Sequence, residues 1–172
     1  ALAEAGVDLL VFETMTDLFE VREAIAAARE VAPGLPVLAS MTFTRDDRTL
    51  LGNDAAQVAQ SIHAAGADFI GINCSDGPNQ VLRLLKKMVQ AVPDGKFSVK
   101  PNAGWPQQVS GRIQYPAGPQ YFGDYALAFW QAGASFIGGC CGTNPQHITA
   151  IAKAIETKRL ASRSPNWVVS NL

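Results

Sequence analysis

The sequence predicts a parallel α/β fold, because apolar strand-like runs alternate with amphipathic helix-like segments along its 172 residues. Three of the runs share the opening Ala-Gly-x-Asp or Ala-Gly-x-Ser, which begins at Ala5, Ala65 and Ala132. Polar and sulfur-bearing residues gather where the runs end, and TIM-type (β/α)8 barrels carry their functional groups at the carboxyl ends of the strands. A complete barrel has eight units, and five are recognisable here. We therefore expect the chain to cover about the last five β/α units of such a barrel, with three more upstream.

The five predicted strands are apolar along most of their length. They span residues 8–13, 37–43, 69–74 and 97–100, and the fifth run ends at Ile137. Continuous apolar character indicates strands covered on both sides, as in parallel sheets on which crossover helices pack. The first strand ends in Glu13 and Thr14, so a carboxylate and a hydroxyl are expected at the mouth of the sheet.

Capping residues mark the predicted helices. Asp17-Leu18-Phe19-Glu20 has the form of a capping box, and apolar residues follow it at helical spacing. Asn53 or Asp54 is expected to cap the second helix. The third helix follows the loop at 75–78, the fourth spans 124–132, and the last has Asn144 as its cap and Pro145 at its first position.

We expect residues 1–158 to be the carboxyl-terminal portion of one barrel domain and residues 159–172 to be a tail. In that arrangement the strands around Val11 and Ile137 lack the neighbours that upstream units provide. Unpaired strand edges associate, so the chain alone is expected to form oligomers or to aggregate, or to need the upstream segment. For the same reason we expect it to be inactive by itself.

Residues 101–123 form an unusually long segment without helix or strand character. Connections in compact domains are usually only a few residues long, so this length indicates a lid or substrate loop. Trp105, Tyr115, Tyr121 and Phe122 give the segment apolar anchors. The alternative is a structural loop that is packed by these aromatic side chains.

Charge and composition exclude two classes of partner. The formal net charge is −1, which gives no electrostatic reason to bind nucleic acid or an anionic membrane. Three cysteines, no signal peptide and no apolar run near the length of a membrane span predict a cytoplasmic protein. His63, within a helix, and His147, in the first turn of the last helix, are interpreted as structural.

Cys74, Cys140 and Cys141 are the candidate metal ligands. Cys74 and Cys141 each lie eight residues after the glycine of their strand opening, so their strand ends are in register. Neighbouring side chains of a regular strand point to opposite faces, so the two adjacent cysteines share one ion only if the backbone leaves strand geometry. The surrounding glycines permit that departure. The alternatives for the adjacent pair are two buried thiols or a vicinal disulfide.

Three thiolates with an open fourth position are typical of a zinc site that performs chemistry. Soft sulfur ligands exclude magnesium and calcium. Zinc with three thiolates is formally negative and so is poorly suited to activating water. It is well suited to binding a substrate thiol as thiolate, which predicts alkyl transfer to sulfur.

Four motifs carry a resemblance to a known family. They are VFET at 11–14, GINC at 71–74, KPNAG at 100–104 and GGCCGT at 138–143. Together they resemble the homocysteine S-methyltransferase family, the zinc-dependent barrels that form methionine. The resemblance runs from about Gly6 to Ile155, and the upstream part of the family, which carries further substrate contacts, has no counterpart here.

The resemblance implies roles for the three cysteines and Glu13, and three further residues are expected at the site because they lie at the strand ends. Cys74, Cys140 and Cys141 match the zinc ligands of the family, and Glu13 matches the carboxylate that holds the amino group of homocysteine. Thr14, Asn73 and Asn102 are expected to contact the substrate, with Asn102 near the open position of the metal. The methyl donors of relatives are methyltetrahydrofolate through methylcobalamin, betaine and S-methylmethionine, and the sequence does not choose among them.

Two other interpretations stay open. In one, the thiolates hold zinc only to stabilise the strand ends, without catalysis. In the other, the glycine-rich final loop and the helix after it bind phosphate in a different barrel enzyme.

Overall fold

The computed structural model describes the backbone of residues 1–163 and the side-chain surroundings of residues 1–158. The strands within this part are β1 (Leu10–Met15), β2 (Val37–Met41), β3 (Phe69–Cys74), β4 (Phe97–Pro101), β5 (Gln107–Val109), β6 (Arg112–Gln114) and β7 (Ala134–Ile137). The helices are α1 (Leu18–Val31), α2 (Ala55–Ala64), α3 (Pro78–Ala91), α4 (Pro119–Gln131) and α5 (Pro145–Arg163). The predicted alternation of strands and helices is confirmed.

Five strands form one parallel sheet in the order β1-β2-β3-β4-β7. Within the described residues, β1 and β7 are the two edges of this sheet, as the sequence predicted. A separate antiparallel hairpin pairs β5 with β6. Because all five main strands run in the same direction, their carboxyl ends meet at one edge of the sheet, where the candidate site residues lie.

The strand and helix boundaries differ from prediction in several places. β1 begins two residues later and extends to Met15, so Glu13 and Thr14 lie within it, next to a register shift between Phe12 and Met15. β2 ends at Met41, two residues early. β3 has the predicted bounds, and β4 runs one residue further to Pro101.

The largest corrections concern residues 101–123. This segment is not irregular throughout, because it contains the β5–β6 hairpin, whose turn residues Ser110 and Gly111 both have positive φ values, of 50° and 75°. Positive φ at both turn positions suits a tight two-residue hairpin. α4 also begins at Pro119 and not at residue 124, because Gly118 precedes a proline that is preorganised for the first helical position.

The predicted caps are largely confirmed. Asp54 forms a complete capping box with Gln57. Asp17 caps α1 by accepting from the backbone N–H of Phe19, so the predicted reciprocal box with Glu20 is replaced by a single side-chain cap. Asn144 accepts from the N–H groups at the start of α5, with Pro145 at the first helical position as predicted.

The main core lies between the sheet and its helices. Alternate residues of the strands, such as Ala39, Met41, Ile72 and Val99, are buried there against the apolar faces of α1, α2 and α3. On the other face, Ser40, Gly71 and Ser98 are small and are paired side by side across β2, β3 and β4. The same face also carries the large apolar side chains of Phe69 and Phe136, which contact each other edge to face nearer the amino ends of the strands.

The other face is tightly packed at Gly71. A Cβ atom on Gly71 would lie 2.7 Å from Cβ of Ser40, so only glycine fits between the strands at this point. Packing against the helices on one side of the sheet holds the strands in place. The opposite face leaves space for polar side chains nearer the carboxyl ends of the strands.

The predicted domain boundary at residue 158 falls inside α5, which continues to Arg163. Residues 164–172 of the predicted tail lie outside the described residues, and the boundary stays a prediction. No helix among residues 1–163 combines the length and the apolar character needed to cross a membrane.

A polar network ties the loop after β2 to helix α3. Asp47 accepts from Arg83 through both carboxylate oxygens, at 2.7 Å each, and also from Lys87 and Gln80. Gln80 in turn donates to the carbonyl of Thr44. The hydrogen bond from Arg83 is the main cause that lowers the pKa of Asp47 to about 2, although partial burial opposes it.

We expect Asp47→Asn to lower the free energy of unfolding by about 1–2 kcal/mol at neutral pH, after allowance for the exposure of Arg83. A carboxylate whose pKa is depressed by folding stabilises the protein above its ordinary pKa, and this contribution is lost as the pH falls through the folded-state value. The difference between variant and wild type should therefore shrink as the pH falls from about 4 towards 2. Urea denaturation across this range measures it, with the exposed Asp94→Asn as control. A pH-independent difference would contradict the ion-pair account.

Candidate metal centre

Three thiols come together at the carboxyl ends of the strands. Cys74 ends β3, and Cys140 and Cys141 follow β7. The Sγ atom of Cys74 lies 3.1 Å from that of Cys140 and 4.0 Å from that of Cys141, and all three sulfurs lie within 4.8 Å of one another. The sequence predicted this meeting, but the equal register behind the prediction is wrong, because Ile72 and Ile137 both pair with Val99 although they lie at different distances from the glycines of their strand openings. All three cysteines are free, so the structure does not contain the vicinal disulfide.

The end of β4 holds the two cysteine segments together, because it lies between β3 and β7 in the sheet. The N–H of Cys140 donates to the carbonyl of Pro101, and the N–H of Ala103 donates to the carbonyl of Cys141, both at 2.8 Å. On the other side, the N–H of Asn102 donates to the carbonyl of Cys74 at 3.2 Å. The three sulfurs are therefore positioned by backbone hydrogen bonds to one short segment.

The backbone leaves strand geometry at Cys140 and Cys141, as predicted, because β7 ends at Ile137 and Gly142 has a φ of 79°. It also does so at the end of β3. Cys74 and Ser75 have φ values of 54° and 59°, in the left-handed region that costs a non-glycine residue about 1–3 kcal/mol. Two glycines are also required by close contacts. A Cβ on Gly139 would lie 2.5 Å from the Thr143 side chain, and a Cβ on Gly142 would lie 2.2 Å from the ring of Tyr115.

The donor set fits zinc. A tetrahedral zinc ion with Zn–S bonds of about 2.3 Å separates its sulfur ligands by about 3.8 Å. The observed separations of 3.1 and 4.0 Å lie on either side of this value, so small side-chain adjustments suffice. Cys141 is exposed while the other two are half-buried, so the cluster is open to a substrate from solvent.

The thiols differ in their readiness to ionise. Burial, together with the hydrogen bond to Cys140, raises the pKa of Cys74 to about 12. Burial also acts to raise the pKa of Cys140, but hydrogen bonds from Cys74 and Asn73 outweigh it, and that pKa lies below its ordinary value. Cys140 is therefore the first of the pair to form the thiolate that a metal requires.

Asn73 and Thr14 connect the ends of β3 and β1. The Asn73 side chain donates to Oγ1 of Thr14 at 2.7 Å and accepts from the N–H of Thr14 at 2.8 Å. The same Nδ2 atom lies 3.6 Å from the sulfur of Cys74 and 3.9 Å from that of Cys140. This pair positions the cluster and donates towards its sulfurs, and its predicted contact with substrate stays a prediction.

Asn102 uses both ends of its side chain to bind backbone. Its Nδ2 donates to the carbonyl of Ser75 at 2.9 Å, and its Oδ1 accepts from the N–H of Cys141 at 3.0 Å. The residue is buried. Asn102 therefore links the two loops that carry the cysteines, a role that the sequence did not reveal. Its predicted place beside the open position of the metal stays a prediction.

Glu13 forms an ion pair with Lys100, which sequence reasoning did not single out as a site residue. Burial lowers the pKa of the Lys100 ammonium, although the nearby Cys140 thiolate opposes this. The signal available in the sequence was a lysine at the end of an otherwise apolar strand, in line with Ser98 on the polar face.

The predicted lid segment contacts the site through Tyr115, whose ring covers Gly142. Of the other predicted anchors, Phe122 is buried, whereas Trp105 and Tyr121 are about two-fifths exposed. The guanidinium of Arg45 lies over the Trp105 ring at 4.1 Å. The function of the segment as a lid stays a prediction.

The two histidines differ in their surroundings. His63 is exposed on α2, and its interpretation as structural stays a prediction. His147 is buried, packs edge-on against Phe122, and has its Nε2 atom 3.0 Å from the carbonyl of Ala117. The first N–H groups of α5 are already bound by Asn144, which leaves them less available to the phosphate considered as an alternative ligand.

Comparisons with known proteins agree with this geometry. The family model described as Homocysteine S-methyltransferase matches residues 1–155. Methionine synthase of Mycobacterium tuberculosis is 29% identical over 173 residues, which cover 96% of this chain and 14% of that protein. Methionine synthase of Mycobacterium leprae is 32% identical over 162 residues, which cover 90% of this chain and 13% of that protein.

A solved structure shares the fold. The apo form of the homocysteine methyltransferase MmuM from Escherichia coli matches with a TM-score of 0.69 at 25% identity, over 89% of this chain and 51% of that chain. This match and the parallel sheet confirm the predicted α/β fold of the barrel type. The chain spans about one-seventh of the length of the two curated relatives and about half of the solved one.

Proposed function

The chain belongs to the homocysteine S-methyltransferase family, and from that membership we propose that it holds the zinc-dependent site at which homocysteine is methylated to methionine. The observation that carries the proposal is the cluster of three free thiols within 4.8 Å at the strand ends. Cys74, Cys140 and Cys141 would hold the metal. When bound there, zinc would lower the pKa of the substrate thiol from its ordinary value of about 8.5 while leaving the sulfur nucleophilic.

The residues around the cluster prepare the substrate. Asn73 and Asn102 fix the positions of the cysteines, and Glu13 binds the ammonium group of homocysteine. The substrate thiol gives up its proton to solvent water, to which the cluster is open at the exposed Cys141, and its sulfur attacks the methyl carbon of the donor. A sulfur–carbon bond forms as the donor's bond to that carbon breaks, and the electron pair of the broken bond stays with the donor.

The donor and the setting are part of the proposal. Methyltetrahydrofolate through methylcobalamin, betaine and S-methylmethionine all present a methyl group to a nucleophile in this way. We place the reaction in the cytoplasm, because three free cysteines suit a reducing compartment. In the non-catalytic alternative, the same thiols hold zinc but homocysteine does not bind.

Methionine formation tests the proposal. The zinc-loaded holoenzyme, meaning this chain together with the upstream barrel units that the sequence predicts, is incubated with homocysteine and each donor in turn, and methionine is measured by mass spectrometry; residues 1–172 alone are expected to form none. We expect methionine with one donor and none after Cys141→Ser. Stoichiometric zinc with no methionine from any donor, and with no binding of homocysteine, would favour the non-catalytic alternative.

Glu13→Gln is expected to weaken homocysteine binding about tenfold or more, because a hydrogen bond between charged groups contributes about 1.5–3 kcal/mol. Zinc content should not change, since the carboxylate pairs with an ammonium group and not with the metal. Calorimetric titration of the zinc-loaded variant measures the loss, and the exposed Glu23→Gln is the matched control. Unchanged homocysteine affinity with intact zinc would show that Glu13 has a structural role only.

A further inference from the structure

Lys100 extends from β4 to Glu13 on β1, although strands β2 and β3 lie between them in the sheet. The ion pair therefore crosses the polar face of the sheet and does not link neighbouring strands. Asn73 of β3 is paired in register with Lys100, so the two side chains are on the same face. Asn73 also binds Thr14, the residue that follows Glu13. The ion pair and the thiol cluster thus share one site.

The stem of Lys100 is held beside the cysteine segment. A Cβ on Gly138 would lie 3.3 Å from Cγ of Lys100, so the lysine methylenes pack over this glycine, two residues before Cys140. The Lys100 side chain is only 24% exposed, whereas that of Glu13 is 45% exposed. A cation so enclosed is costly unless an anion stays close to it, and Glu13 supplies that anion in the structure.

We propose that Lys100 binds the α-carboxylate of the thiol substrate, so that Glu13 and Lys100 together recognise the zwitterionic end of an amino acid. This inference rests on the proposed function. The Cα atom of homocysteine carries both an ammonium and a carboxylate, and its thiol lies two methylenes away. When the thiol lies at the cysteine cluster and the ammonium binds Glu13, the α-carboxylate lies next to Lys100, which no longer pairs with Glu13.

Charge balance supports this arrangement. Without substrate, Glu13 and Lys100 neutralise each other. When the substrate ammonium binds Glu13, the enclosed Lys100 cation loses its ion pair with that carboxylate. The substrate carboxylate then pairs with Lys100 and neutralises it. A thiol that brings an ammonium but no carboxylate would take Glu13 from Lys100 and supply no carboxylate in its place, which is unfavourable for a half-buried cation. The pair therefore selects amino-acid thiols over simple aminothiols.

Three thiols separate the two contacts. Homocysteine carries both charges, 4-sulfanylbutanoic acid lacks the ammonium, and 3-aminopropane-1-thiol lacks the carboxylate. Their affinities for the zinc-loaded holoenzyme are measured by calorimetry for wild type, Lys100→Met and Glu13→Gln. The exposed Lys86→Met is the matched control, and zinc content is measured for every variant.

We expect Lys100→Met to weaken homocysteine and 4-sulfanylbutanoic acid about tenfold, the loss typical of a charge-assisted contact, and not to weaken 3-aminopropane-1-thiol. Glu13→Gln should weaken homocysteine and 3-aminopropane-1-thiol and spare 4-sulfanylbutanoic acid. Lys100→Arg, which keeps the cation, should still prefer homocysteine over 3-aminopropane-1-thiol.

Equal loss of all three thiols in Lys100→Met, loss of zinc from that variant, or no loss at all would overturn the role of Lys100. If Lys100→Met does not fold, Lys100→Arg decides the question. A Lys100→Arg variant that no longer prefers homocysteine over 3-aminopropane-1-thiol would overturn the role of Lys100. A zinc-loaded wild type that binds no homocysteine is a different result. It would overturn the proposed function, and this inference with it.

Discussion

Replacing Cys74, Cys140 or Cys141 by serine is expected to weaken zinc binding by on the order of 100-fold or more, because each change removes one of three soft, charged ligands. A serine hydroxyl keeps its proton at neutral pH and is a poor ligand for zinc. The loss should be similar for the three positions, since their sulfurs form one compact cluster. It should appear as zinc-free protein after purification and as loss of zinc to a weak chelator.

The chain has no fourth cysteine to serve as a matched control. Circular dichroism of each variant therefore serves to separate loss of the metal from loss of the fold. The core that holds the strands lies on the helix side of the sheet, so the serine variants should stay folded. Full zinc occupancy in all three variants would end the metal-site hypothesis.

Asn102→Ala is expected to lower zinc affinity by about 10- to 100-fold, although Asn102 is not a predicted ligand, because residues that orient metal ligands have effects of this size. The change removes the acceptor for the Cys141 N–H and the donor to the Ser75 carbonyl, and both groups then lose a partner. The cysteine loops would no longer be fixed to each other through this amide.

Chelator competition measures the change in zinc affinity, with Asn79→Ala as the control, because the Asn79 side chain in the first turn of α3 is exposed. A variant that keeps wild-type zinc affinity but loses homocysteine binding would instead support the sequence-based prediction that Asn102 contacts the substrate. The experiment thus decides between a positioning role and a substrate-binding role.

Much of the site could be predicted because the carboxyl ends of parallel strands meet at one edge of the sheet. The repeated Ala-Gly opening indicated that Cys74 and Cys141 lie where their strands end, although the pairing of β3 and β7 with β4 does not keep the equal register that the openings predicted. The glycines around Cys140 also carried a readable signal, since close contacts and a positive φ exclude other residues there. These signals could be read because each one stands in a short stretch of sequence, even where the contact that it reflects is with a distant segment.

What the sequence did not reveal depends on contacts between distant segments. The pairing of Lys100 with Glu13 across two intervening strands depends on where the two side chains converge over the polar face of the sheet. The two partners of Asn102, the Ser75 carbonyl and the Cys141 N–H, lie far from it in the sequence, so no local pattern indicated these contacts. The start of α4, by contrast, could have been predicted from a local signal, because Gly118-Pro119 is typical of a helix start. The prediction missed it because the whole segment 101–123 was interpreted as a loop.

X-ray absorption spectroscopy of the zinc-loaded protein, with and without homocysteine, tests the central claim most directly. We expect three sulfur neighbours at about 2.3 Å without homocysteine and four at about that distance with it, because the substrate thiol joins the three cysteines. Three sulfur neighbours in both samples, at homocysteine concentrations that saturate binding, would contradict the claim that this site activates the substrate thiol.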